Sequence, residues 1–428
     1  MKFKQSDGQN QRIERITTSH LVVGIDIAKE THVAQATNFR GVVLTNRNLS
    51  FTNTHEGFEK VKQWMEALQQ KHRLNSLIIG MEPTGHYSNN LANWLAGKGL
   101  SVVFVNPATT KRNKENRDNC PSKSDPKDAL VIADVVSRGY YYDYNRQAGD
   151  FQRLRTMMSD REFWVTNRVR LQNRIVRWLD IYFPEYASVF KDWTCPRSIA
   201  TLKAFPLPSD LAGQSIEEVI SGWRSYMKRA GGTSGRQKAA ELLSKARQSV
   251  GENAALREAK QDLKRLLDEF ERIADILEQF ERDLGTILEG IPLVNQLRSI
   301  KGLGTIYMAA ILSSAGDLRQ YTHGRQLLRR AGLNLAESMS GKRKGEIVIS
   351  KRGDAKLRKY MYLATLTLVG TNPVFRQLHE INVQVKHMSK QQSVFKVLGK
   401  LARILVGMVQ NGSSFTPEKT AHSFAPAA

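Results

Sequence analysis

Asp125 and Asp128 open a helix in the stretch SKSDPKDALVIADVV, residues 122–136. Asp125 suits the N-cap and Pro126 the first helical position, and Leu130, Val131 and Val135 supply the apolar side. A cap residue and one three later share one side of the first turn, so two carboxylates point the same way, with Lys123 and Lys127 beside them. The helix dipole favours such an acidic start in any protein. What points to chemistry is two further acids upstream. Asp26 sits in the apolar run LVVGIDIAK, where a carboxylate is costly unless it is paired or binds a metal ion. Glu82 stands at the carboxyl end of SLIIGMEP, just ahead of Thr84-Gly85. Four acids on strand ends and a helix start are the oxygen donors a hard divalent cation wants, and a two-metal phosphoryl-transfer site needs several of them converging. Each also has a plainer reading: Asp26 pairing with a buried cation, Glu82 merely ending a strand.

These acids need elements to position them. Residues 21–38 read as a buried strand running through Asp26 into a second, alternating strand, and 41–53 as a third. A helix over 55–71, a strand over 76–83, a helix over 86–97, a strand over 100–107 and a polar loop over 111–124 lead to the helix headed by Asp125. A meander followed by alternating helices and strands predicts a mixed α/β sheet, with functional groups at the carboxyl ends of its parallel strands. The polar residues 1–18 read as disordered, and the catalytic domain as 19–145.

From 146 to 290 helical patterns dominate. The segment 151–183 carries Leu171, Ile175, Trp178 and Tyr182 on one face and many arginines elsewhere, and 184–234 is less regular. Leu256, Leu263, Leu266, Phe270, Ile273, Leu277, Phe280, Leu284 and Ile287 then form a coiled-coil stripe, either an intrachain hairpin with 151–183 or a dimer seam. A last domain spans 291–412, followed by a disordered tail, 413–428. It begins with Lys301, Gly302 and Gly304 in a helix-hairpin-helix-like turn, whose backbone N–H groups suit phosphates. A short hairpin and a helix starting near Asp354 follow, carrying Lys342, Arg343, Lys344, Lys351, Arg352, Lys356 and Arg358. Such a run is often a solvated face, but its interleaved glycines suit contact with a phosphate backbone.

The formal charge of the 428-residue chain is +23 and its pI is near 10, which favours a polyanionic partner, nucleic acid before an acidic membrane. No apolar run reaches membrane-span length and the first residues lack a signal-peptide core, so the expectation is a cytoplasmic protein with no membrane partner. With only Cys120 and Cys195, neither a disulfide framework nor a zinc ribbon is expected.

Taken together, GIDIAK, MEPTGHY, SDPKDA, the coiled-coil middle, IKGLG and AGL…SMSG…ISKRGDAKLRKYMY resemble one family over about residues 20–410. It is the DEDD transposases of bacterial insertion sequences, the IS-one-ten family of bridge-RNA-guided DNA recombinases. The resemblance implies an RNase H-like, RuvC-like N-terminal domain with Asp26, Glu82, Asp125 and Asp128 as ligands of Mg²⁺, two ions being expected and Mn²⁺ able to substitute. It further implies double-stranded donor and target DNA, a guide non-coding RNA, and a homo-oligomer, dimer or tetramer. The family's serine nucleophile falls on Ser340, with Ser338 the rival; Asn334 and Met339 depart from the family's usual residues before the Ser-Gly. Since no His lies near Ser340 in sequence, its activation is expected from the acid cluster's metal, a composite site. Three other readings compete: a water-using junction nuclease, an actin-like or sugar kinase, and a non-catalytic nucleic-acid-binding protein. The kinase reading lacks a second phosphate loop and an adenosine pocket.

Overall fold

The computed structural model describes residues 7–83, 85–118, 125–144, 149–340 and 343–417, and the chain divides into two compact units, 1–146 and 147–428. The first is built on a six-stranded sheet of β1 (His20–Asp26), β2 (Thr31–Asn38), β3 (Leu49–Thr52), β4 (Ser76–Met81), β5 (Val102–Val105) and β6 (Tyr141–Asp143), in the order β3-β2-β1-β4-β5-β6. β1, β4 and β5 run parallel; β2, β3 and β6 pair antiparallel to their neighbours. This mixed sheet with flanking helices is compatible with an RNase H-like domain.

Alternation along the central strands sorts the core into two layers. Leu21, Val23 and Ile25 of β1 and Ile79 and Met81 of β4 pack under α2 (His55–His72) and α3 (Ser88–Gly97). Val22 and Ile78 pack on the opposite face against Val131, Ile132, Val135 and Val136 of α5 (Asp125–Ser137). Gly24 and Gly80 let α5 approach this face. A Cβ at Gly24 would lie 2.0 Å from the Ala129 carbonyl oxygen, and one at Gly80 2.4 Å from Val136.

Two expectations for this unit are corrected. The polar loop over 111–124 is instead helical to residue 118, in α4 (Pro107–Asp118). Asn106 caps it, accepting from Ala108 N at 2.9 Å, and Pro107 opens it. Residues 119–124, with Lys123, lie outside the described residues. The described part of the expected disordered start forms α1 (Asp7–Glu14). Ile16 is buried, Tyr141 Oη donates to Arg12 O at 3.0 Å, and Arg15 pairs with Asp143 at 2.5 Å. Its partners lie over a hundred residues away, beyond the reach of local pattern.

The second unit is almost wholly helical. Its frame is α6 (Asp150–Tyr182), five helices over 186–247, α7 (Tyr186–Val189), α8 (Pro196–Ala204), α9 (Pro208–Leu211), α10 (Ile216–Arg224) and α11 (Thr233–Arg247), and the long α12 (Leu256–Glu289). The prolines that made 184–234 look irregular include Pro196 and Pro208, which start helices. The apolar stripe of α12 is satisfied within the chain by an antiparallel hairpin with α6. Trp178 Nε1 donates to Ala259 O at 3.0 Å, the Arg168 guanidinium stacks over Phe270 and that of Arg272 over Trp164.

α13 (Val294–Arg298), α14 (Thr305–Ala315), α15 (Gly324–Arg330), α16 (Ala355–Thr371), α17 (Pro373–Glu380) and α18 (Lys390–Gln410) complete the unit, with the hairpin β7 (Leu335–Ser340) and β8 (Arg343–Ile349). The expected boundary at 290 does not separate two cores. Leu154, Met158, Leu284 and Leu288 of the α6–α12 hairpin share one cluster with Leu312, Met361 and Leu401. The tail expected to be disordered from 413 is held at its start, where Phe415 N donates to Ser299 Oγ at 2.7 Å and its ring faces Phe375; 418–428 lie outside the described residues. Among the described residues no helix is long and apolar enough to cross a membrane.

Candidate active site

The period-two alternation that buries Val22 and Ile78 against α5 carries Asp26 and Glu82 to the same face. Ile25 pairs with Met81 across the parallel β1–β4 ladder, so the two acids follow at adjacent carboxyl ends. α5 brings Asp125 and Asp128 in its first turn, and the close approach over Gly24 sets Ala129, next to Asp128, against β1. Asp128 is 9% exposed, Asp26 and Glu82 are half-buried and Asp125 is exposed.

The four acids act on one another. Burial first, then the charges of Asp128, Asp125 and Glu82, push the Asp26 carboxyl from 3.8 to about 6; Lys114 opposes the rise. Lys114, on α4, forms a close ion pair with Oδ1 of Asp128, an atom that is buried and has no hydrogen bond. The turn after Asp26 is braced by a buried imidazole: Ala28 N donates to His32 Nδ1 at 3.3 Å, and burial lowers the pKa of that ring.

The all-oxygen donor set fits a hard divalent cation. The excess negative charge that raises Asp26, and the Asp128 oxygen answered by an ammonium alone, are what a bound cation would relieve. Among the described residues, however, no three His, Cys, Asp or Glu side chains stand within joint coordinating reach. The acids therefore form an electrostatic cluster with Lys114 drawn into it rather than a closed ligand cage. Lys114 is the site residue that sequence reasoning missed. Its signal was present in Asn106-Pro107, the same cap-and-proline start as Asp125-Pro126.

In the second unit Ser340 is the last residue of β7, paired with Arg343 across the hairpin, and Gly341 and Lys342, which join the strands, lie outside the described residues. Ser338 falls at a register shift between Glu337 and Met339. Of residues 336–340 and 343–347, including Arg343 and Lys344, the backbone is described and the side chains are not. The hairpin's base is tightly tied. Ser350 N donates to Asn334 O and Lys351 N to Gly332 O, both at 2.9 Å, and a Cβ at Gly353 would lie 2.3 Å from Gly332 N.

The basic residues expected at nucleic acid divide by environment. Lys351, Arg352 and Lys356 are exposed, and Asp354 caps α16 as the sequence predicts. Arg358 is half-buried and donates to Ala331 O at 2.9 Å and Lys351 O at 3.2 Å, so its guanidinium braces the hairpin base. Lys301 is exposed, and its carbonyl accepts from Asn372 Nδ2 at 2.8 Å. Gly302, at φ +98°, packs where a Cβ would meet Thr371 Oγ1 at 2.5 Å, and Gly304 precedes α14 with open space around it.

A mixed sheet with acids at parallel strand ends and in the first turn of one helix is compatible with an RNase H-like domain of the DEDD type. Two family profiles make that specific. One described as a transposase, of the IS110 DEDD type, matches residues 23–184, and one described as the transposase IS116/IS110/IS902 family matches 294–380. The chain belongs to this family of insertion-sequence transposases, enzymes that cleave and recombine DNA and as a group use divalent metal ions. It is 25% identical over 403 residues to a protein of insertion element IS116 from Streptomyces clavuligerus, covering 92% of this chain and 96% of that one. It is 23% identical over 360 residues to the transposase for insertion sequence element IS1111A of Coxiella burnetii, covering 83% of this chain and 78% of that one. The pilin gene-inverting protein of Moraxella lacunata is 30% identical over 118 residues, 27% of this chain and 34% of its own length.

Proposed function

We propose that this transposase cuts and exchanges DNA strands with a Mg²⁺-bound carboxylate cluster, Asp26, Glu82, Asp125 and Asp128, and with Ser340 as nucleophile, directed to its DNA by a structured non-coding RNA. The observation that carries the reading is the placement of Asp26 and Glu82 at adjacent strand ends with Asp125 and Asp128 in the first turn of the helix over them, where burial and then the other three charges raise Asp26 to about 6. A cluster of acids that raises one of its own members while Lys114 pairs with Asp128 is poised for divalent ions.

When bound, a divalent cation supplies charge neutralisation at a phosphate and lowers the pKa of a coordinated hydroxyl. The chain's own residues do the rest. Ser340 gives up its hydroxyl proton as its Oγ bonds to phosphorus, and the displaced DNA oxygen takes a proton as its bond breaks. One phosphodiester is exchanged for another, so strands can be rejoined without an external energy source. The place of Ser340 in regular register at the end of the strand, where Ser338 falls at a register shift, supports it over Ser338. Lys351, Arg352 and Lys356, at the hairpin base and the start of α16, are exposed and able to hold phosphates. With base pairing in the RNA carrying specificity, the protein needs to read only backbone and shape, which a charge of +23 suits. The solvent-exposed Phe163, Val169, Val176 and Ile181 on α6 support assembly into a homo-oligomer.

The test is incubation of the protein with Mg²⁺, end-labelled element-junction DNA and RNA transcribed from the element's flanking sequence, resolved on a denaturing gel with and without protease. A protein–DNA adduct that requires RNA and Mg²⁺ and is lost in Ser340→Ala is the expected result. Cleavage without adduct, unchanged in Ser340→Ala, would instead identify a water-using nuclease.

A further inference from the structure

We propose that α15 and α18 together form a second contact surface for the sugar–phosphate backbone of duplex DNA, separate from the hairpin and α16. Neither helix contains a single Asp or Glu. On α18 the exposed face opposite the core carries Lys396, then half-buried Lys400, then Arg403, at helical spacing. α15 crosses beside this stripe at backbone contact. A Cβ at Gly324 would lie 2.6 Å from Arg403 Cα, and one at Gly399 would lie 4.0 Å from Leu328. Gly324 and Leu327 of α15 are buried, and Arg325 and Arg329, four residues apart, are exposed on this helix that packs against α18.

Cations gathered in this way repel one another. Among the described residues, Arg325, Arg329, Lys396 and Arg403 have no ion pair, whereas Lys203, Lys260, Lys264 and Arg282 elsewhere in this unit each pair with a carboxylate. The repulsion registers at Lys400, where burial and then the charge of Arg403 lower the pKa. A polyanion relieves it. Duplex DNA is favoured over unpaired RNA because single-stranded sites stack bases on exposed aromatic rings, and none of the exposed large hydrophobic residues lies on α15 or α18. The stripe from Lys396 to Arg403 rises about 10 Å along α18, the span of about three phosphates of one strand.

The proposal rests on the reading above only in that the chain handles DNA, and its test needs no cleavage. Full-length Arg325→Gln/Arg403→Gln and, independently, Arg329→Gln/Lys396→Gln would be titrated in EDTA against a fluorescein-labelled duplex by anisotropy over a range of salt. Each lost phosphate contact should flatten the slope of log K against log salt by about 0.9, so each double variant should lose about 1.8 and bind roughly ten- to sixty-fold more weakly near 0.1 M salt. The control Arg272→Gln/Arg282→Gln removes equal charge from α12 and should leave the slope as in wild type. A slope unchanged in both variants, an equal change in the control, or a change seen with a structured RNA of similar length but not with DNA would each overturn the proposal.

Discussion

Replacing Asp26 with Asn isolates the charge that the acid cluster imposes on this fold. In the folded chain the Asp26 carboxyl is raised from 3.8 to about 6, by burial and then by Asp128, Asp125 and Glu82. Below about pH 3.8 the group is protonated in both folded and unfolded chains and there is no penalty. Between 3.8 and 6 the folded state holds a proton the unfolded chain has released, so stability falls as pH rises. Above about 6 the penalty is complete. At 1.36 kcal/mol per pKa unit its ceiling is about 3 kcal/mol, and screening at a half-buried side chain reduces this to about 1–2 kcal/mol. Asp26→Asn, isosteric and neutral, removes it. Melting curves in EDTA should show the variant roughly 3–6 °C more stable than wild type near pH 7.5 and indistinguishable near pH 4. Added Mg²⁺ should narrow the gap at high pH by raising wild type more than the variant. A variant less stable than wild type near neutral pH, or a difference independent of pH, would show that burial and the other three acids do not act on Asp26 as described.

Lys114→Ala should lower the melting temperature in EDTA near neutral pH, by about 2 kcal/mol in stability, because it leaves a buried Asp128 oxygen without its ammonium. It should also move the Asp26 transition to higher pH and enlarge the Mg²⁺-induced rise in melting temperature; an unchanged Mg²⁺ response would place Lys114 outside the cluster. Gly24→Ala would set a methyl 2.0 Å from the Ala129 carbonyl and force α5 off the sheet. A loss of about 3 kcal/mol or more by urea denaturation is expected, together with loss of the Asp26 pH effect, whereas a near-neutral change would mean that α5 docks less closely.

Much of the site was legible in the chain itself. The buried run through Asp26, the strand ending at Glu82, the Asp-Pro start of α5 and the hairpin ahead of Asp354 are encoded within a few residues, and the structure forms them where the local patterns fall. What local pattern could not supply was partnership. Whether the apolar stripe of α12 met another chain or its own was decided by α6, about a hundred residues earlier, and the single core joining that hairpin to 291–412 depends on the same packing. α1 and Phe415 looked like loose ends because their anchors, Tyr141 and Ser299, are remote in sequence. Arg358 reads in the sequence only as one of a run of cations, whereas in the structure one of its guanidinium nitrogens also braces two backbone carbonyls of the hairpin base. Sequence by itself determined which residues carry charge and which elements carry them. Only the tertiary structure decided which charges meet, because a carboxylate's pKa and a lysine's partner depend on burial and distance between segments that share no local pattern.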